Sequence, residues 1–294
     1  MTSFSNTPIR WPAEAIWEAV APLLPGFTVE VLPEIDSTNT ELMRRFKGSP
    51  SQAPQSEPLL LIAEQQSAGR GRLGRAWQSQ RGDSLMFSLG LPLQPLDWSG
   101  LSLAVGISLA ESLEALSVQS VHAADAPRIG LKWPNDLWLS TPQGERKLAG
   151  ILIETANGAG GRYVVIGVGV NIFPIALTAQ SEAAPAMAAI LPGCLQEVFP
   201  DMDAAQALQG IVPHLVETVL AFEQFGFAPF QARFATRDVL ADRAVQLSNG
   251  IQGTACGVKK NGALRVQTAA GLLEITSAEV SIRPLAITKD SASC

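Results

Sequence analysis

The chain has 294 residues, 47% hydrophobic and 16% charged, with a formal net charge of −6. This is enough apolar material for one large domain or a large and a small one, and the acidic balance disfavours non-specific nucleic-acid binding. Cys194, Cys256 and Cys294 are odd in number and far apart, which excludes a disulfide framework or a metal-ligand spacing and fits a reducing cytoplasm. Met1 to Trp11 lacks a signal peptide's apolar core, and no apolar run reaches the roughly 18 residues of a membrane span.

In chain order, Pro12 to Leu24 has helical spacing through Ile16, Val20 and Leu23 and stops at Pro25-Gly26. Thr28 to Leu32 alternates as a strand. Asp36-Ser37-Thr38-Asn39 then caps a short helix predicted over Thr40 to Phe46. Lys47 to Pro58 reads as an exposed loop, and Leu59 to Gln65 and Leu85 to Leu91 as buried strands. Leu101 to Leu116 is an apolar helix. Gly130 to Leu139, Lys147 to Glu154 and Tyr163 to Ile172 are predicted strands joined by turn-rich connections, which implies antiparallel pairing. The alanine-rich piece Thr178 to Ile190 reads as a loop. Asp203 to Phe225 is a long helix and Pro229 to Arg237 a short one. Beyond Asp238, five short strands separated by Gly-containing turns predict a small β-barrel.

Between the first two buried strands lies Gly69-Arg70-Gly71-Arg72-Leu73-Gly74-Arg75. Glycine lets a backbone approach a ligand closely, and arginine offers a rigid fork of donors to phosphate or carboxylate. A small phosphorylated ligand suits such a cluster, although a solvated hairpin connection suits it equally. Gly69, Gly71 and Gly74 also satisfy a dinucleotide-binding pattern. That pattern must open a helix, and no helical periodicity follows. A nicotinamide oxidoreductase is therefore disfavoured.

Lys132-Trp133-Pro134-Asn135-Asp136 places proline inside a strand-like stretch, where it forces a bulge, an edge or a tight turn. Gly167, Gly169 and Asn171 share one face at period two. They leave a flat surface that suits a planar ring or close packing by a helix. His122 and His214 have no ligand partners nearby in sequence and read as non-catalytic.

The order DSTN, GRGRLGRAW, KWPNDLWL, KLAGILIE, VIGVGVNI, followed by Val258 to Leu264 and Ser281-Ile282-Arg283, resembles the biotin–protein ligase (biotin–[acetyl-CoA-carboxylase] ligase) family from about Asp36 to Arg283. The resemblance implies an α/β (α+β) fold, a mixed sheet with flanking helices related to class II aminoacyl-tRNA synthetases, over residues 1–237. It implies an SH3-like β-barrel over residues 238–288. Biotin contacts are implied for Ser37, Thr38, Asn39, Gln66, Arg70, Gly71, Arg72, Lys147, Gly150 and Gly167. Nucleotide contacts are implied for Trp77, Asn135, Asn171, Lys260 and Arg283. Lys147, Arg70, Arg72 and Asp136 are the implied catalytic set.

ATP and biotin are the implied substrates, with Mg²⁺ accompanying ATP and no metal ligands in the protein. The implied partner is a biotin carboxyl carrier protein or domain, with a homodimer as a further option and no membrane. Residues before Asp36 give one helix and one strand, too little for the helix-turn-helix that some members carry, so no DNA partner is expected. A lipoate–protein ligase is the second reading.

Overall fold

The computed structural model describes residues 9–48, 57–77, 81–116, 128–141, 144–158, 161–174, 191–276 and 282–284. The strands are β1 (Thr28–Leu32), β2 (Leu59–Ala63), β3 (Ser84–Pro92), β4 (Arg128–Lys132), β5 (Asp136–Thr141), β6 (Gly144–Gly158) and β7 (Gly161–Asn171). They form one seven-stranded sheet in the order β1-β2-β3-β7-β6-β5-β4. Only β1 and β2 run parallel; every other neighbour pair is antiparallel. The sequence predicted Gly130 to Leu139 as one strand. It is a hairpin instead: Pro134, with a cis bond to Trp133, makes the turn between β4 and β5.

Strand parity explains which face does what, because successive side chains point to opposite sides. Leu60 and Ile62 of β2, Leu85, Phe87 and Leu89 of β3, and Val164, Ile166 and Val168 of β7 enter the large core. Helices α1 (Ala13–Val20), α3 (Leu101–Ala115) and α4 (Ala204–Phe225) pack on this face, and residues of β4, β5 and β6 extend the core. The opposite parity, Leu59, Leu61, Tyr163 and Val165, forms a smaller cluster with Leu42 of α2 (Thr38–Lys47). Both faces are thus covered, and β2 is buried at every position. Helix α2 begins earlier than the predicted Thr40, because Ser37 Oγ accepts from the Thr40 N–H and makes Ser37 the cap.

Five further strands, β8 (Ala244–Leu247), β9 (Gln252–Val258), β10 (Leu264–Thr268), β11 (Gly271–Ile275) and β12 (Ile282–Pro284), form a separate antiparallel sheet in the order β11-β10-β9-β8-β12. The short helix α5 (Gln231–Ala235) leads into it. The chain between the sheets lies along the outer edge of β4, where Leu131 N–H donates to Arg237 O at 2.7 Å and Val239 N–H to Leu131 O at 3.1 Å. That edge is therefore covered. Trp133, fully buried, donates its indole N–H to Gly262 O at 3.0 Å and ties the two sheets together. The predicted loop Thr178 to Ile190, His122 and Cys294 lie outside the described residues. No helix among the described residues is long and apolar enough to cross a membrane.

Asp238 sits at this junction. Its Oδ1 accepts from Leu240 N–H at 2.9 Å, and Oδ2 has no partner among the described residues. Burial, then the nearby Asp242 charge, push its carboxyl up from 3.8 to about 6. The folded state therefore holds this proton to higher pH than the unfolded chain, and stability falls as pH rises from about 4 to about 6. Asp238→Asn keeps the acceptor and removes the charge. It is expected to be more stable than wild type by about 1–2 kcal/mol above pH 6, with the difference vanishing near pH 4. Urea unfolding at pH 4.0 and 7.5 checks this; an equal difference at both pH values removes the assignment.

Candidate functional site

The non-core face of the sheet carries a cleft of about 920 Å³, counted out to its open mouth. It is lined by Ser37, Thr38, Asn39, Gln66, Arg70, Gly71, Arg72, Trp77, Asn135, Asp136, Lys147, Gly150 and Gly167, so most residues singled out from the sequence converge there.

Its floor is a continuous polar chain. Thr38 N–H donates to Gln66 Oε1 at 2.8 Å. Ser88 Oγ, fully buried on β3, lies 2.7 Å from both Thr38 Oγ1 and Asn39 Oδ1. The amide oxygen of Asn39 can only accept, so the Ser88 proton goes there and Ser88 accepts from Thr38. Asn39 Nδ2 donates to Leu152 O at 3.1 Å and to Glu154 Oε2 at 3.0 Å. Glu154 in turn pairs with Arg70 at 3.2 Å. The chain therefore runs from Gln66 through the first turn of α2 to the arginine loop. Gly167 is required beneath it, because a Cβ there would collide with the Asn39 amide.

The flat glycine surface on β6 and β7 is occupied by Trp77. A Cβ on Gly169 would lie 2.5 Å from its indole ring, and one on Gly150 3.1 Å away. The ring accepted there is thus the protein's own. Trp77 Nε1 is buried with no partner among the described residues. The arginine loop forms a single 3₁₀ turn, Arg72–Gly74, and no α-helix, which removes the dinucleotide-fold reading. Leu73 in this turn adopts φ 56°, a left-handed conformation costly for a branched side chain, and stays exposed.

At the other end of the cleft, Lys147 Nζ lies 2.7 Å from Asp136 Oδ1 and 5.7 Å from the Trp77 ring centroid. Parity alone would put Lys147 on the core side with Ala149 and Ile151. The pairing Leu137↔Ala149 is followed by Trp138↔Lys147, so Leu148 is an extra residue, a β-bulge. The bulge turns Lys147 to the cleft. Of the bulge, edge or tight turn that the sequence allowed at Pro134, the structure has the tight turn, and the bulge lies on the partner strand β6.

Asn135 is held by three bonds. Its Nδ2 donates to Ile151 O at 2.8 Å, its O accepts from Ile151 N–H at 3.0 Å, and its Oδ1 accepts from Arg72 Nη1 at 3.3 Å. Burial, ahead of the Asp136 and Arg75 charges, lowers the Arg72 pKa from its ordinary value.

Three sequence-derived residues do not line the cleft. Asn171 is buried and donates to Lys147 O at 3.2 Å and Gly193 O at 2.9 Å, so it braces the Lys147 segment. Lys260 is exposed in the connection between β9 and β10. The backbone of Arg283 belongs to β12, and its side chain lies outside the described residues.

A model of the biotin/lipoate A/B protein ligase family matches residues 31–171. The bifunctional ligase/repressor BirA of Escherichia coli (strain K12) is 35% identical over 266 residues, covering 88% of this chain and 75% of its own. The biotin–[acetyl-CoA-carboxylase] ligase of Paracoccus denitrificans is 29% identical over 263 residues, covering 85% and 98%. The biotin protein ligase of Aquifex aeolicus, solved in complex with biotin and ATP, superposes with a TM-score of 0.68 at 26% identity, covering 87% of this chain and 99% of that one. The chain belongs to the biotin–protein ligase family.

Sequence reasoning missed several groups of this ligase's cleft. Lys132 and Arg75 line it, as do Ile151, Leu152 and Val168. Ser88 and Glu154 complete its polar floor. A lone serine in the apolar run Leu85 to Leu91 and a glutamate ending KLAGILIE were the available signals.

Gly169→Val is expected to displace Trp77 and fill the cleft while leaving the core intact. Binding of the ligase's small-molecule substrates should weaken by at least about tenfold, roughly 1.4 kcal/mol, with less than about 1 kcal/mol lost in urea unfolding. Unchanged binding by calorimetry would show that Trp77 does not gate this surface.

Proposed function

We propose that the chain is a biotin–[acetyl-CoA-carboxylase] ligase that activates biotin with ATP to biotinyl-5'-AMP and passes the biotinyl group to a lysine of a biotin carboxyl carrier protein or domain. The observation that carries this reading is the gathering of five cations, Arg70, Arg72, Arg75, Lys132 and Lys147, around a cleft with two carboxylates, Asp136 in its lining and Glu154 beneath it paired with Arg70, in a chain of net charge −6. The names of the relatives and the biotin and ATP bound in the Aquifex aeolicus structure support the same reading.

In the first step a biotin carboxylate oxygen attacks the α-phosphorus, the bond to the β-phosphate oxygen breaks, and pyrophosphate leaves with the electron pair. Two anions must meet, so preset cations supply most of the acceleration. Arg70, Arg72 and Lys147 take that role, and Asp136 fixes the Lys147 ammonium. In the second step the carrier's neutral lysine amine attacks the biotinyl carbonyl carbon, the C–N bond forms, AMP leaves and the amine proton passes to solvent. No enzyme nucleophile is required.

Ser37, Thr38, Asn39, Gln66, Gly71, Gly150 and Gly167 hold biotin, and Trp77 and Asn135 lie on the nucleotide side. Roles for Lys260 and Arg283 rest on the resemblance, as do the SH3-like character of the second sheet, the relation of the first to class II synthetases, and a division into residues 1–237 and 238–288. No group of three or more potential metal ligands occurs among the described residues. Asp136 is already engaged by Lys147, so the cleft residues do not fit a protein-held ion; Mg²⁺ is substrate, carried on the phosphates of ATP. A homodimer would pair along the outer edge of β1, where no strand lies among the described residues. The proposal gives no role to DNA and places the enzyme in the cytoplasm.

The test is incubation with ATP, a carrier domain and labelled biotin or labelled lipoate. Biotin is expected on one carrier lysine; transfer of lipoate instead, or of neither, overturns the reading. Lys147→Ala should cut pyrophosphate release by roughly two decades while shifting biotin affinity only a few-fold, because the contact strengthens in the transition state. Equal release by mutant and wild type sinks that role. Arg72→Gly should still form the adenylate but release it faster by roughly one to two decades, a charge-assisted bond being worth about 1.5–3 kcal/mol. The freed anhydride should then label serum albumin, and equal albumin labelling at matched adenylate production would show that Arg72 does not retain it.

A further inference from the structure

Lys132 ends β4, at the start of the Trp133–Pro134–Asn135 turn. Its side chain is nine-tenths buried, and its ammonium lies 5.6 Å from the centroid of the Trp138 ring. Among the described residues the one opposite charge in contact is Asp136 Oδ2, at 4.0 Å, while Asp136 Oδ1 is held by Lys147 at 2.7 Å. Two ammoniums therefore share one carboxylate. Lys147 on β6 and Arg72 and Arg75 on the loop face Lys132 with the same sign. An ammonium removed from water and less than half compensated is costly unless something anionic joins it. Lys132 also lines the cleft itself, so an incoming anion can reach it.

We propose that Lys132 is a further catalytic residue of this cleft, one that contacts the polyphosphate chain of the nucleotide and completes the charge balance that Asp136 leaves open. The inference rests on the ligase reading above and adds to it a residue and a proton. Burial, ahead of the attraction of Asp136 and the repulsion of Lys147, Arg75 and Arg72, brings the Lys132 pKa down from 10.5 to about 8. A bound polyanion favours the charged form and raises it again. Nucleotide binding above pH 8 must then take up a proton, and binding at pH 7 takes up little.

The experiment is calorimetry of the full chain, saturated with biotin and titrated with α,β-methylene ATP, in pairs of buffers that differ in ionisation heat. Wild type is expected to take up roughly three quarters of a proton per nucleotide at pH 8.5 and about a tenth at pH 7.0, the neutral fractions of a group with pKa near 8. Lys132→Met should lose the uptake and raise the KM for ATP by about ten- to a hundredfold, one to two of the tenfold steps that lost contacts cost, while biotin affinity stays within about twofold. Lys132→Arg should keep ATP binding, since it keeps the cation, and should also lose the uptake.

Absence of uptake in wild type, or a wild-type KM for ATP in Lys132→Met, overturns the proposal. If Lys132→Met fails to fold, Lys132→Arg decides alone: persistence of the uptake in it refutes the assignment, and its loss with nucleotide still bound upholds it. A wild type that forms no biotinyl adenylate yet takes up the proton would sink the ligase reading and leave Lys132 as an anion contact. An active wild type without uptake would sink only Lys132.

Discussion

The turn from Lys132 to Asp136 is the constraint on which the rest depends. From Trp133 to Asp136 every residue is fastened to a part of the molecule outside the turn. The Trp133 indole reaches the second sheet at Gly262. Pro134 O accepts from Ser102 Oγ of α3 at 2.8 Å. Asn135 locks onto the β6 backbone and receives Arg72 from the loop. Asp136 aligns Lys147. Four consecutive residues, Trp133 to Asp136, thus set the relative positions of a helix, a strand, the arginine loop and a neighbouring sheet. Such a hub places several polar groups to within hydrogen-bond tolerance, which is what stabilising developing charge demands.

The sheet divides labour by parity. One side is hydrocarbon from α1 across α3 and α4, and it supplies stability. The other side interrupts its apolar residues with Ser88, Gly167, Gly169 and Glu154, and it supplies chemistry. Buried polar atoms on that side are tolerated because they satisfy one another in sequence from Gln66 to Arg70. A change at any member propagates along the chain of bonds, which couples the floor to the loop.

Much of this was legible beforehand. Helical spacing marked α1, α3 and α4, and the buried strands stood out as unbroken apolar runs. The glycines and arginines between β2 and β3 stood out, although they suited a phosphorylated ligand and a solvated connection equally. What was hidden is cross-strand. Gly130 to Leu139 looks like one strand, because nothing local shows that its two halves pair with each other. Lys147 was singled out only by the resemblance, because the extra residue in β6 that turns it to the cleft is visible only against Trp138 of β5. Ser88 and Glu154 carried no motif of their own, and their role appears only when α2 brings Asn39 between them. Lys132 stood within a recognised motif, yet its burial depended on Trp138 packing beside it.

The bulge at Leu148 behaves as a reading-frame correction in the strand. Upstream of it, the side chains of β6 alternate in one phase; downstream, they alternate in the other. Lys147 and Gly150 can therefore both address the cleft although they are an odd number of positions apart. In a regular strand, side chains on one face are separated by even numbers only. The lysine is thus placed by a count of residues and not by the identity of its neighbours. Point substitutions at Leu148 that remain apolar leave the count untouched, and loss of one residue between Lys147 and Gly150 would only straighten the strand with the ammonium still on the cleft side; pairing Leu148 regularly with Trp138, without shortening the strand, is what would send the ammonium into the hydrocarbon side.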